Sequence, residues 1–217
     1  MPSPPALLRD EDLPPAPRQK RSMEKRAKFL EAGRTAFAEK GYEAASIKAI
    51  ASRAGAATGA FYVYFRSKRQ LLLVLMNELI ERLSSVDLRP QGSDGGVRNG
   101  LRQHLARVFE ADLEYFGVIR AWQEASLADD GLRALEEAIQ RWTEGRILAV
   151  FQAMQQHPAA RRDVDLPMFA RMMDRHFWAL LARGAKMSGE EFAREVRTVA
   201  DVICFYLFAL SEESSGH

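Results

Sequence analysis

An all-α fold is predicted by three observations. From Ser22 onward apolar residues recur at three- and four-residue spacing, no run of useful length alternates with period two, and capping signals precede several of the periodic segments. About nine helices are expected, three in a small N-terminal unit and the rest in a larger C-terminal one. Residues 1–21 stand apart: they hold six of the nine prolines and end in RQKR, a composition expected to pack no core and to stay disordered or extended.

The first helix opens with Ser22 as the expected N-cap, lines Phe29, Leu30, Gly33, Ala36 and Phe37 on one face, and closes at Gly41. A short second helix follows Ser46, with Ile47, Ile50 and Ala51 inward, and stops near Gly55. The stretch GAATGAFYVYFRSK at 55–68 supplies the third. Ser67 with Gln70 reads as a capping box for a fourth, whose leucines at 72, 75, 79 and 83 form one stripe to about residue 86. The Gly-rich segment 89–96 interrupts, and further amphipathic helices are expected over about 97–128, broken near 113–117, and over 131–157. One more begins after Asp165 with Pro167 in its first turn, and the last after Ser188, boxed with Glu191. The expected division is an arm over 1–21, a DNA-binding unit over 22–68 and a helical domain over 69–217, with the helix at 68–86 as connector.

Composition narrows the function classes. No apolar run reaches the length of a membrane span, the N-terminus lacks the pattern of a secretory signal, and Cys204 is the single cysteine, so a soluble cytoplasmic protein without a disulfide framework is expected. Net charge is only +2, yet residues 1–68 carry 13 Lys and Arg against 7 Asp and Glu, whereas residues 69–217 carry 18 against 22. The basic end is the candidate surface for a polyanion. A charge bias alone is equally a solvated face, so it needs a geometric partner to carry meaning.

That partner is the segment 47–66. Ala51 is small where two helices cross, Gly55 suits the turn between them, and Ile47, Ile50, Phe61 and Phe65 fill the wedge, which is helix-turn-helix spacing. The second helix of such a unit lies in the major groove of double-stranded DNA. Thr58, Gly59 and Ala60 are then the expected readers of base edges with Tyr62 beside them, and Tyr62 and Tyr64 carry hydroxyls toward phosphates. Ser46, Lys48 and Lys68 stand at helix starts suited to phosphate contacts, and Arg18, Lys20 and Arg21 form a basic arm for the minor groove or the backbone.

The run from Phe29 to Leu72, FLEAGRTAFAEKGYEAASIKAIASRAGAATGAFYVYFRSKRQLL, resembles the N-terminal domain of TetR-family transcriptional regulators over about residues 24–75. The resemblance implies a homodimer, an inverted-repeat operator and a C-terminal domain for a small-molecule effector. It also implies phosphate contacts by Ser46 and Lys68 and groove contacts by Gly59 and Tyr62, with Tyr64 at the place of a frequent histidine. Ala57 and Thr58 replace a commoner Ser-Lys pair, Ala60 a frequent threonine and Val63 a tyrosine, so the operator sequence does not follow from the resemblance.

In the C-terminal part, Phe169, Leu180, Val199, Ile203 and Leu207 belong to two apolar stripes expected to close a four-helix bundle between subunits. The expected lining of an apolar pocket is Trp122, Trp142, Met173 and Phe177 first, then Phe109 and Phe151, with Asp174 and His176 as polar anchors. The segment around Trp142 and FARMMDRHFWALLARG is similar to the ligand domain of the mycobacterial ethionamide-resistance regulator, which implies an elongated apolar effector with a polar end near Arg171 and Asp174. The histidines and Cys204 show no metal-ligand spacing, no catalytic motif is present and no cofactor is expected. The expected function is a DNA-binding repressor released by its effector. An activator of the same family and a protein-interaction module that binds no DNA are the alternatives.

Overall fold

The computed structural model describes residues 2–85, 96–111, 115–184 and 186–208, with backbone alone at 96–98 and 107–111. Its described residues form nine α-helices and no strand: α1 Lys20–Ala44, α2 Ile47–Arg53, α3 Thr58–Phe61, α4 Lys68–Ser85, α5 Gly96–Ala111, α6 Phe116–Ser126, α7 Asp130–Met154, α8 Leu166–Gly184 and α9 Gly189–Leu207. None of these helices is long and apolar enough to cross a membrane.

Local signals set most boundaries. Ser46 caps α2 by accepting the Ala49 N–H at 3.2 Å, and Ser188 with Glu191 forms the reciprocal capping box at the head of α9. At the head of α4, Ser67 Oγ accepts the Gln70 N–H at 3.1 Å, but the Gln70 side chain reaches back to the Arg66 N–H at 2.9 Å, one residue before the expected partner. α1 departs further. It starts at Lys20 with extended Gln19 as N-cap, because Ser22 turns its hydroxyl to the Tyr64 hydroxyl at 3.0 Å instead of to its own helix. The helix path breaks at Gly41, where φ is 76°, and resumes to Ala44.

The Pro-rich segment before α1 takes no helix, yet it packs where no packing was expected. Leu7 is buried, Pro2 accepts the Trp142 indole N–H at 3.1 Å, and Arg69 of α4 pairs with both Glu11 at 2.5 Å and Asp129 at 2.7 Å. One buried leucine, an indole donor and a shared guanidinium outweigh the conformational freedom that composition alone credits to this segment.

Two cores follow. The first runs without interruption from the α1–α3 head, through Leu71 to Ile80 of α4, into α6 and the inner faces of α7 to α9. The second fills the far end between α5, α7, α8 and α9. The head is fastened to the rest by α1 lying along α6: Glu124 accepts the N–H groups of Tyr42 at 2.7 Å and Glu43 at 3.0 Å, and Arg120 donates to the carbonyls of Phe37 and Ala38. These bonds satisfy donors and acceptors that the break at Gly41 releases from the helix ladder.

Candidate nucleic-acid interface and buried cavity

The α2–α3 unit is built on a tight left-handed turn. α2 ends in a Schellman motif: the Ala56 N–H reaches the Ala51 carbonyl at 3.0 Å, the Gly55 N–H reaches the Ser52 carbonyl at 3.1 Å, and Gly55 sits at φ 66°. A side chain other than glycine is strained there, so this turn is what fixes the crossing of α2 and α3. Phe61 and Phe65 are fully buried, with Phe61 edge-on to Phe29 at 5.7 Å and Arg26 lying over Phe65 at 5.5 Å. With those rings inside, the one-turn α3 presents Thr58 and Gly59 outward and the turn that follows it presents Tyr62 and Val63, Tyr62 being 52% and Val63 62% exposed. A Cβ placed on Gly59 would meet nothing within 4 Å. Lys48, Arg18, Lys20 and Arg21 are also exposed.

Three of the expected contacts lie elsewhere. Ala60 packs against the head core, because on a single helical turn it shares the inward side with Phe61. Tyr64 is half-buried, its ring 5.7 Å from Phe29 and its hydroxyl engaged by Ser22. Lys68 donates its ammonium to the carbonyls of Tyr42 at 2.6 Å and Glu43 at 3.2 Å and lies 4.2 Å from the Tyr42 ring, so it ties α4 to the end of α1 in place of reaching a phosphate. Ser46 keeps its hydroxyl proton available while capping α2, and it is exposed.

A cavity of about 120 Å³ lies in the C-terminal part. Its walls are mainly apolar: Leu83 of α4, Leu101 of α5, Val150 and Phe151 of α7, Phe177 of α8 and Ile203 of α9. His104, Thr143, Arg146, Asp174 and Trp178 interrupt them. Arg146 is buried, donates to the Leu83 carbonyl and stacks over the Trp142 ring at 4.9 Å, and burial lowers its pKa. Asp174 is 1% exposed. Desolvation raises its carboxyl to about 6, Glu144 adds to the rise, and Thr143, Trp178 and Arg175 act against it.

Residues 29–75 match the model of the tetR family of bacterial regulatory proteins. Over this stretch, about a fifth of the chain, the protein is similar to that family. The HTH-type transcriptional regulator YuxN of Bacillus subtilis is 33% identical over 92 residues, 42% of this chain and 32% of that protein, so the chain spans about a third of that relative's length. The HTH-type transcriptional repressor Rv1474c of Mycobacterium tuberculosis is 29% identical over 130 residues, 52% of this chain and 67% of that one. Among solved structures, a TetR family transcription regulator from Marinobacter aquaeolei VT8 superposes with a TM-score of 0.59 at 23% identity, covering 87% of this chain and 98% of that one, which shows the shared fold.

Measured against the TetR-type architecture, the expected pocket residues divide. Phe151, Phe177 and Asp174 line the cavity. Trp122 belongs to the first core, Trp142 stands behind the wall under Arg146, and Met173 is in the second core. His176 does not line the cavity, and Arg171 is exposed 3.6 Å from Glu144. The side chain of Phe109 lies outside the described residues. Arg146, Thr143, Trp178 and His104 were missed. A signal for Arg146 existed in the sequence, as a base one helical turn after Trp142 on an otherwise apolar face.

The stripes expected between subunits are also reassigned. Phe169, Leu180, Val199, Ile203 and Leu207 are all buried within the chain. Phe169 stacks on Tyr206 at 3.9 Å, and with α9 packed along α5 and α8 along α6 and α7, those faces are consumed in the chain's own core. Exposed apolar residues remain on their outer sides: Met168 and Met172 on α8, Val202 and Phe205 on α9.

Asp174 makes stability depend on pH, in a direction that follows from its raised pKa. The folded chain holds the proton up to about pH 6 and the unfolded chain only to the ordinary carboxyl value of 3.8, so stability falls as pH rises through that window and stays low above it. The difference corresponds to about 3 kcal/mol at neutral pH. Asp174→Asn is therefore expected to raise stability at pH 7.5 by about 1–3 kcal/mol and to flatten the decline between about pH 4 and 6, as read by urea melts across that range. An unchanged slope would assign the pH dependence to other groups.

Proposed function

We propose that the protein is a homodimeric transcriptional repressor that grips an inverted-repeat operator with its α2–α3 unit and is released when a small, mainly apolar effector enters the cavity. The observation that carries the reading is the outward set Thr58, Gly59, Tyr62 and Val63 on a helix and the turn after it, whose other side is anchored by buried phenylalanines. Exposed aromatic and β-branched side chains cost solvation unless a partner covers them, and the small residues before them let a backbone approach base edges. Ser46, Lys48, Arg18, Lys20 and Arg21 provide the surrounding phosphate-facing groups.

The route from cavity to operator runs through α4. Its far end contributes Leu83 to the cavity wall and accepts from Arg146, while its near end carries Lys68, bonded to the last carbonyls of α1. An effector that displaces Leu83 therefore tilts a helix fastened to the head. In a DNA-competent dimer the two recognition helices sit about 34 Å apart, one turn of DNA. An effector that prefers a different separation about a hundredfold at each of two sites supplies roughly 5.5 kcal/mol, enough to empty the operator.

For the dimer surface, the outer faces of α8 and α9 take the place of the buried stripes. Replacing Met172 and Phe205 together by glutamate is expected to yield a monomer at micromolar concentration by analytical ultracentrifugation, with helix content retained because both side chains are already exposed. A dimer that survives the double change would move the interface off these helices. The test of the function itself is selection from random duplexes by the purified protein, followed by titration of the enriched duplex at several salt concentrations. An enriched inverted repeat with steeply salt-dependent affinity supports the reading. Uniform weak binding to every duplex removes it in favour of a protein-binding role.

A further inference from the structure

Asp174 is a polar group in the cavity wall whose chemistry is left incomplete. Its residue is 1% exposed, and its Oδ2 has no hydrogen-bond partner among the described residues. The Thr143 hydroxyl and Trp178 indole, 3.4 Å from each other, hydrogen-bond the carboxyl group, but neither brings a positive charge. Among basic side chains, Arg146 is directed to the Leu83 carbonyl and the Trp142 ring, Arg171 lies on the surface beside Glu144, and Arg175 is exposed and makes the smallest contribution to the Asp174 charge. Asp174 and Trp178 also border an outer cleft with Gln123 and Gln140, so they form the partition between an apolar cavity and a polar surface.

A buried carboxylate without a counter-charge is costly, and the cost falls sharply when a cation with N–H donors meets it. The rest of the cavity offers hydrocarbon and aromatic surface in a volume of about 120 Å³. That is slightly below the roughly 150 Å³ in which an apolar cavity takes a benzene-sized molecule. We propose that the cavity binds a protonated amine on a small apolar body, with its N–H groups on Asp174 Oδ2 and its hydrocarbon against Leu101, Val150, Phe151 and Phe177. The proposal rests on the reading of this cavity as the effector site and names the effector's chemical class.

The test uses three probes of one length, hexylammonium, hexan-1-ol and hexanoate, titrated calorimetrically into the full-length protein at pH 7.5. Hexylammonium is expected to bind about ten- to a hundredfold more tightly than hexan-1-ol, the span of a charge-assisted hydrogen bond, and hexanoate more weakly than either. In Asp174→Asn, with its fold checked by thermal melting, the advantage of the amine over the alcohol is expected to shrink to about threefold or less. The ranking in the parent protein is read without any variant, and the variant then assigns the preference to Asp174. Equal binding of all three probes, preference for hexanoate, no binding of any, or an amine preference that survives Asp174→Asn overturns the proposal. Operator selection on the same preparation separates the two readings. Amine binding by a protein that selects no operator leaves the site standing without the regulator, and operator selection without amine preference removes the amine site alone.

Discussion

Gly59→Glu is expected to lower affinity for the selected operator at least about a hundredfold while moving the melting temperature by no more than about two degrees. The two halves of that expectation have separate physical origins. In the free protein, a side chain at position 59 enters open space and the position is exposed, so the change falls among surface substitutions that alter stability by about 0.5 kcal/mol or less. In the proposed complex, the same side chain would lie where α3 meets the duplex and bring a carboxylate against base edges and phosphates. A hundredfold corresponds to about 2.7 kcal/mol, within the range of one or two disrupted base-pair contacts, and a dimer suffers the change in both half-sites. Fluorescence anisotropy with the selected duplex reads the affinity and calorimetry reads the melt. Gly59→Ala, which adds only a methyl group, should lose much less. Unchanged operator affinity in Gly59→Glu would take α3 out of the groove.

Gly117→Val is expected to do the opposite, destabilising the whole chain by at least about 3 kcal/mol and lowering the melting temperature by about 6–12 degrees. Gly117 lies in the first turn of α6 where it crosses α1, and a Cβ built on it would stand 2.4 Å from both the Cα and the Cβ of Ala38 and 2.7 Å from the Ala38 nitrogen. Replacing a helical glycine by a residue with a side chain normally gains up to about 1 kcal/mol of helix propensity. Here the neighbour is backbone, which cannot rotate away, so the overlap wins and the two helices must separate. Separation also draws Glu124 away from the Tyr42 and Glu43 N–H groups, leaving donors unsatisfied at the joint between the head and the C-terminal helices. Ala38→Gly removes the Cβ contact but leaves the Cα in place, so the double variant should recover only part of the loss. Differential scanning calorimetry compares the variants, with Gly189→Ala, which meets nothing within 4 Å, as the neutral reference. A neutral Gly117→Val would mean that α1 and α6 are free to part.

The pattern of what was readable in the sequence follows from the range of each interaction. Ser46, Ser67 and Ser188 announce their helices because a cap is a bond between residues three apart, and Gly55 announces its turn because the conformation is a property of that residue alone. The helix-turn-helix was legible for the same reason, since Ile50, Ala51, Phe61 and Phe65 meet within one short stretch of chain. Even there, Ala60, Tyr64 and Lys68 were assigned to DNA although the fold uses them inside the head, through partners such as Phe29, Ser22 and Tyr42 that lie more than twenty residues away.

Farther along the chain, periodicity marks an apolar stripe without saying what covers it. The last turns of α9, VICFYL, are apolar nearly all round, with Ile203 and Leu207 buried and Val202 and Phe205 exposed, so their sequence defines two candidate faces and only the packing of α5 and the core beside them selects the inner one. Trp122 and Trp142 have the size of pocket residues, but one fills the joint with α1 and the other is held by the Pro2 carbonyl at the opposite end of the chain. Arg146 and Asp174 become a cavity's polar groups because helices α4, α7 and α8 converge around them. The sequence by itself determined the helices, most of their caps and the helix-turn-helix turn, all of which rest on neighbours within a few residues. The tertiary structure alone decided which faces are core, which are surface and which enclose a ligand-sized space, because those depend on contacts between segments that no local pattern encodes.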